Sequence, residues 1–361
     1  MDSLLVELIN ATLCKRPLNE RLFEKATEAD WERCFETARQ QQVLAMTFPT
    51  MSARPKEQRP GFLLWSKWMA YAQSTAELSR HKQEAVRKLG VWLADEELQT
   101  MVIKGFSVAV HYPRPELREF SDVDIYSGPD YETVNSCLTK HGLTVGKADG
   151  HHAHIRVDDV SVEHHFAFGN SRVKGDMYGM ETALQQLAEN NSRPTAMPGI
   201  HFPNAAFTTL YVGWHAYKHF LHEKIELRHV VDWALCLKQL TDEEAAKVDE
   251  VKGESTWSRF ADTLTAIALH RLGLPKEWFP AKEEERAESV ATEEEQRVWD
   301  DIIGGSHTHH GRNKGHRRLI IARRLLQNQW KFKEYADESA GRFLWKEFVG
   351  YVTRKSQKTQ K

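Results

Sequence analysis

The sequence predicts an α+β protein, with a small mixed β-sheet core flanked by an N-terminal and a C-terminal helical region. Two observations carry this expectation. Long proline-free stretches with apolar residues at helical intervals fill both ends of the 361-residue chain. Between them, short apolar runs stop at turns and alternate with polar residues, as strands do.

Residues 1–97 read as helical. In "ADWERCFETARQQQVLAM", Trp31, Phe35, Val43 and Leu44 fall at roughly helical spacing, and "FLLWSKWMAYAQSTAELSRHKQEAVRKLGVWL" continues for many turns without proline. The segment "SARPKEQRPG" (52–61) separates the two as a loop. The core is expected over 98–170. There "TMVIKG" is a strand ending at Gly105, "SVAVHY" a short helix and "PRPELREFS" a loop. "DVDIYS" follows as a strand, "PDYETVNSCLTKHG" as a helix and "LTVGKA" as another short strand. "HHAHIRV" and "VSVEHHFAF" close the unit as two strands joined at Asp158-Asp159. Residues 171–352 return to helix, and the basic tail 353–361 is expected to be disordered. The acidic stretch 282–296 reads as a solvated helix start, and 311–333 as a basic amphipathic helix. The tryptophans, spread through helical regions, are assigned to the core.

Composition narrows the class. A hydrophobic share of 41% with 28% charged residues is ordinary for a soluble globular protein, and the net charge of −2 argues against one coated in nucleic acid. Cys14, Cys34, Cys137 and Cys236 are scattered without a CxxC pair, which suits reduced thiols and a cytoplasmic setting. The first residues lack the basic start of a signal peptide, and no apolar run approaches the ~18 residues of a membrane span. No membrane partner is expected.

The chemistry concentrates in "REFSDVDIY" (118–126). Strand alternation puts Asp122, Asp124 and Tyr126 on one face and Val123 and Ile125 on the other. Two carboxylates held that close repel each other unless a cation joins them, and Mg²⁺ takes one or two carboxylates plus substrate phosphates. The surface alternative is a pair of solvated aspartates at a strand edge. In "VSVEHHF", Ser161, Glu163 and His165 share the polar face, and in "HHAHIRV" His152, His154 and Arg156 do. A two-residue turn at Asp158-Asp159 places His154 opposite Glu163 and Arg156 opposite Ser161. That polar strip is expected to stand beside the two aspartates.

The run "VIKGFSVAVHYPRPELREFSDVDIYSGPDYETVNSCLTKHGL", followed by "VSVEHHF", resembles nucleotidyltransferases of the DNA-polymerase-β-like superfamily. The nearest pattern is that of an uncharacterised bacterial family: Leu-Lys-Gly, then Arg-x-Phe-Ser-Asp-hydrophobic-Asp, then Val-Glu-x-His. The resemblance covers 100–170 well and the helical flanks more loosely. It implies that Asp122 and Asp124 hold two Mg²⁺ ions (Mn²⁺ being the alternative), with Glu163 as a third ligand or as general base. It also implies an NTP donor, with Gly105 letting backbone approach the phosphates. The wider superfamily has Gly-Ser or Gly-Gly at that turn, whereas this chain has Gly105-Phe106-Ser107. Lys104, Ser107, Arg118 and Ser121 are the further nucleotide-contact candidates. A surface charge or a loop-holding ion pair is the alternative for Lys104 and Arg118, and local turn chemistry for Ser121.

On the later helix, His215 and His219 are i, i+4, as are Arg228 and Asp232, which are spaced to pair. They are expected either to wall the site toward base or acceptor or to form a buried polar network. "SHTHHG" (306–311) lacks companion ligands at zinc spacing and reads as a loop. The expected activity is transfer of an NMP group from an NTP to a hydroxyl-bearing acceptor with release of pyrophosphate. A small molecule or protein is favoured as acceptor over long nucleic acid. The alternatives are a non-catalytic nucleotide-binding or regulatory protein that retains the fold, and a toxin-like transferase that modifies a protein or RNA.

Overall fold

The computed structural model describes residues 3–148, 150–169, 176–189, 192–253, 256–304 and 327–336. The "SHTHHG" loop, most of the basic 311–333 segment and the 353–361 tail lie outside the described residues. The N-terminal region comprises α1 (Ser3–Cys14), α2 (Glu20–Phe23), α3 (Glu28–Gln40), α4 (Leu44–Ser52) and the 34-residue α5 (Phe62–Asp95). Thr27 and Asp30 close a reciprocal capping box at the start of α3. The single helix expected over "ADWERCFETARQQQVLAM" is two, because Gln42 adopts a left-handed backbone (φ 54°) between α3 and α4. The break turns the Gln41 side chain toward a later helix, where its Oε1 accepts from the Leu227 amide at 2.9 Å. Trp31, Trp68 and Trp233 are fully buried, as the core assignment required.

The central unit contains β1 (Thr100–Val102), α6 (Phe106–Ala109), β2 (Val123–Tyr126), α7 (Tyr131–Lys140), β3 (His152–Val157) and β4 (Val160–His165). After α8 (Asp176–Glu189) come β5 (Arg193–Pro194) and β6 (Ile200–Phe202). Among the described residues, six strands form one mixed sheet in the order β3-β4-β2-β1-β6-β5. β4 lies parallel to β2 after the α7 crossover, and β6 lies parallel to β1. The hairpin register is the expected one: His154 pairs with Glu163 and Arg156 with Ser161. Asp158 supplies the positive φ (52°) that lets the two-residue turn close without glycine.

Two expectations are corrected. Residues 143–148 form no strand; they run beside β3 with a single ladder-like bond from Gly146 N to His154 O, 2.8 Å. The sheet also extends past residue 170, because β5 and β6 sit in the stretch read as helical.

The two faces of the sheet differ as the alternation dictates. Val123, Ile125, Ile155 and Val162 pack with Val86, Leu89 and Leu93 of α5 and Val134 and Leu138 of α7. The opposite face carries Asp124, Tyr126, Glu163 and His165 toward α9 (Ala205–His222), and Tyr126 reaches Phe207 of that helix through Phe168. Burying one face fixes the register, since a one-residue slip would exchange the faces. α5 approaches the sheet closely at Gly90, where a Cβ would lie 2.2 Å from the Pro198 carbonyl oxygen. A backbone atom cannot step aside as a side chain can. Gly90→Ala is therefore expected to cost about 1–3 kcal/mol, read as a lower urea midpoint with an unchanged m-value.

The remaining helices, α10 (Leu227–Leu237), α11 (Asp242–Lys252), α12 (Thr256–Ala266), α13 (Ala281–Glu288), α14 (Thr292–Gly304) and α15 (Gln329–Tyr335), share the larger apolar core with the N-terminal region. The 282–296 stretch is not simply solvated. Glu283 is buried against Lys252 at 2.7 Å, and Glu295 is buried against His270 at 2.8 Å. No described helix is long and apolar enough to cross a membrane.

Candidate active site

A cleft of about 1040 Å³ opens between the polar face of the sheet, the middle of α5, and the α9 and α10 helices. Its floor is Asp124, which β2 delivers fully buried. Asp124 Oδ1 accepts from Lys104 Nζ at 2.9 Å and from His165 Nε2 at 3.0 Å, while Oδ2 is buried with no donor among the described residues. Burial by itself raises a carboxyl pKa, but the Lys104 charge and the His165 hydrogen bond outweigh it and hold Asp124 far below the ordinary range. The same contacts raise Lys104 and His165 against the burial that would lower them.

Glu163, next along the sheet, pairs directly with Asp124 in the β2–β4 register. Its Oε2 lies 3.7 Å from His165 Nε2, and its Oε1 lies 3.7 Å from His152 and 3.9 Å from His154. Chiefly through His165, its carboxyl is held below the ordinary value. Ligand atoms of Asp124, Glu163 and His165 all lie within 4.8 Å of one another, as do those of His152, His154 and Glu163 and those of His151, His152 and His165. Burial lowers His152, and it lowers His151 to about 3, so both rings are neutral at neutral pH.

Asp122 belongs to none of these groups. It precedes β2 and accepts from Ser121 Oγ at 2.8 Å while lining the same cleft. Ser121 thus performs the local chemistry given as its alternative. Gly105 follows β1 with φ 70°, a conformation L-residues avoid, and a Cβ there would meet the Phe120 ring at 3.2 Å. Ser107 is buried in α6, directly after the glycine turn, and is not among the residues lining the cleft.

Arg118, a nucleotide-contact candidate by the resemblance, lines the cleft, and its guanidinium is 3% exposed and forks onto Asp232 at 2.8 and 2.7 Å. A third bond, from Nη1 to the Gly105 carbonyl at 3.3 Å, ties α10 to the glycine turn. Asp232 also accepts from Tyr112 Oη at 2.7 Å and, as the spacing suggested, from Arg228 at 3.2 Å. Asp232 is thus shared by Arg118, Arg228 and Tyr112.

His215 and His219 face each other at 3.0 Å between Nε2 atoms on the α9 wall, and burial holds His215 neutral. Lys218, which the sequence did not single out, also lines the cleft. Its ammonium sits 4.0 Å above the Trp214 ring, and burial, with Lys104 adding repulsion, lowers it to about 8. The signal was present in the spacing, because Lys218 is i+3 from His215 and shares the helix face that lines the cleft. Lys82 of α5 was missed as well; it bonds the Phe120 carbonyl on the opposite wall. His165 was legible as a polar-face residue, but its contact with Asp124 required the β2–β4 pairing. A smaller cavity of about 470 Å³, between α1, α4 and residues 112–114, contains none of the residues singled out from the sequence.

A mixed sheet that presents an aspartate, a neighbouring strand's glutamate and a glycine turn to one cleft is the arrangement of a nucleotidyltransferase-like core. The chain belongs to the family described as uncharacterised nucleotidyltransferase, whose model matches residues 27–273. No curated protein matches it. The family match reaches well beyond the strands, so the N-terminal helices from α3 onward and the α9–α12 helices belong to the shared unit.

Proposed function

We propose that this protein is a Mg²⁺-dependent nucleotidyltransferase that moves an NMP group from an NTP to a hydroxyl-bearing acceptor. The acceptor oxygen attacks the α-phosphorus, the bond to the β-phosphate bridging oxygen breaks, and pyrophosphate leaves. The hydroxyl proton passes to a base or to water. The observation that carries this reading is Asp124: a fully buried, ionised carboxylate whose Oδ2 has no donor among the described residues, beside a second carboxylate in a cleft. A buried anion with a free lone pair is costly unless a cation meets it.

Asp124 and Glu163, with Asp122 at the rim, are the residues that would hold Mg²⁺, and Mn²⁺ suits the same oxygens. Bound there, such ions neutralise triphosphate charge and polarise the attacking oxygen. The protein supplies the rest. Lys104 brings fixed positive charge to the cleft floor, and Gly105 keeps side-chain bulk from the turn. The Arg118–Asp232 pair fixes that turn against α10. Because Glu163 is held below the ordinary carboxyl pKa, it is a weak base, which favours the ligand role over proton abstraction. The cleft volume is ample for a nucleotide with a small acceptor. A cytoplasmic setting suits four cysteines that form no disulfide among the described residues, three of them buried.

Calorimetry with each of the four NTPs, in Mg²⁺ and in EDTA, tests the reading on wild type and on Asp122→Asn/Asp124→Asn. Binding is expected only with Mg²⁺ and only to wild type, and the preferred base identifies the donor. A folded wild-type protein that binds no NTP overturns the proposal.

A further inference from the structure

We propose that the β3–β4 hairpin carries a separate metal seat, formed by His152, His154 and Glu163, for a borderline divalent ion of the Zn²⁺ class. His152 and His154 are i, i+2 on one strand and so project from the same face. The hairpin register sets Glu163 directly opposite His154, which makes His152 its diagonal neighbour. All three side chains therefore converge from two hydrogen-bonded strands, with no loop involved.

The distances are those of ligands around an ion. Glu163 Oε1 stands 3.7 Å from His152 Nε2 and 3.9 Å from His154 Nδ1. These separations are too long for hydrogen bonds. They lie near the roughly 3.4 Å that separates two atoms each about 2.1 Å from one tetrahedral ion. His152 is also short of partners among the described residues: its Nδ1 is buried with none, and its Nε2 has Glu163 Oε1 at 3.7 Å. A ring packed for structure alone would be expected to satisfy at least one nitrogen.

The donor set distinguishes this seat from the carboxylate floor. Two imidazoles and one carboxylate select Zn²⁺ or a neighbouring transition ion, whereas Mg²⁺ prefers oxygen ligands. Glu163 spans the two, with Oε1 toward the histidines and Oε2 toward His165 and so toward Asp124. Three protein ligands leave an open position, and His154 lies at the exposed edge of the hairpin where a ligand can reach it. The inference does not depend on nucleotidyl transfer, because a metal seat is measurable in a protein that turns over no nucleotide.

The test is Zn²⁺ calorimetry on the full chain, stripped with EDTA and dialysed, in the presence of excess Mg²⁺. Wild type is expected to bind one equivalent that Mg²⁺ does not displace. In His152→Ala/His154→Ala that equivalent should be lost or weakened at least about tenfold. It should persist in His307→Ala/His309→Ala/His310→Ala, which removes a histidine cluster elsewhere in the sequence. His154→Ala alone, at an exposed position, repeats the measurement with the least risk to folding, checked by thermal melting. The proposal is overturned if wild type binds no Zn²⁺ under excess Mg²⁺. It is equally overturned if the His152/His154 variant binds as wild type does, or if only the 307–310 variant loses the ion.

Discussion

Asp124→Asn is expected to lower metal-dependent nucleotide turnover by on the order of 10³-fold, equivalent to about 4 kcal/mol of transition-state stabilisation. The substitution keeps the shape of the side chain and removes its charge. Two cations then lose their counter-ion, since Lys104 and His165 both point at Oδ1. The variant is thus expected to lose its divalent ion and also some thermal stability, so turnover must be compared in samples whose folding is verified by circular dichroism. Asp122→Asn should cost less. Asp122 precedes the strand, is partly exposed and bonds only locally to Ser121 among the contacts described. Equal effects of the two substitutions would place the metal between them, on the symmetric pattern that the D-x-D spacing suggests. A folded Asp124→Asn protein with undiminished turnover would remove the carboxylate floor from the mechanism.

That asymmetry marks the limit of what the sequence conveyed. Alternation along a strand is a strong constraint, so the faces of β2, β3 and β4 and the His154–Glu163 register could be read directly from residue spacing. Which aspartate forms the cleft floor could not, because it depends on which end of the strand is buried. Short edge elements were the other loss. β5 is only Arg193–Pro194, and a two-residue strand containing proline has no periodicity to detect. The reverse error, a strand at 143–148, came from an apolar alternation that the chain uses beside β3 without joining its ladder. Charge was hardest to place. Arg118 sits in the family-like motif beside the aspartates, and its partner Asp232 lies 114 residues away. No local pattern reports such a pair.

The same pair supports the second large expected effect. Asp232→Ala should destabilise the protein by about 3–5 kcal/mol at neutral pH, because it leaves the Arg118 charge buried without compensation. Burial tends to raise the Asp232 carboxyl, but Arg118 and then Arg228 overcome this and bring it down to about 2. The unfolded chain has an ordinary aspartate near 3.9. A folded-state value below the unfolded one means stability that is fully present above pH ~5 and is lost as pH falls toward 2. The advantage of wild type over Asp232→Asn in urea denaturation should therefore be constant from pH 6 to 8 and narrow between about pH 5 and 2. A gap independent of pH across that range would mean that the carboxylate charge contributes nothing. Arg118→Met/Asp232→Leu separates folding from function, since replacing a buried pair by apolar side chains often recovers stability. It cannot replace the bond from Arg118 to the Gly105 carbonyl. If that bond positions the nucleotide-facing turn, the double variant, which leaves the Tyr112 hydroxyl without Asp232, should melt above Asp232→Ala yet remain impaired in NTP binding, and restored binding would reduce Arg118 to a structural counter-ion.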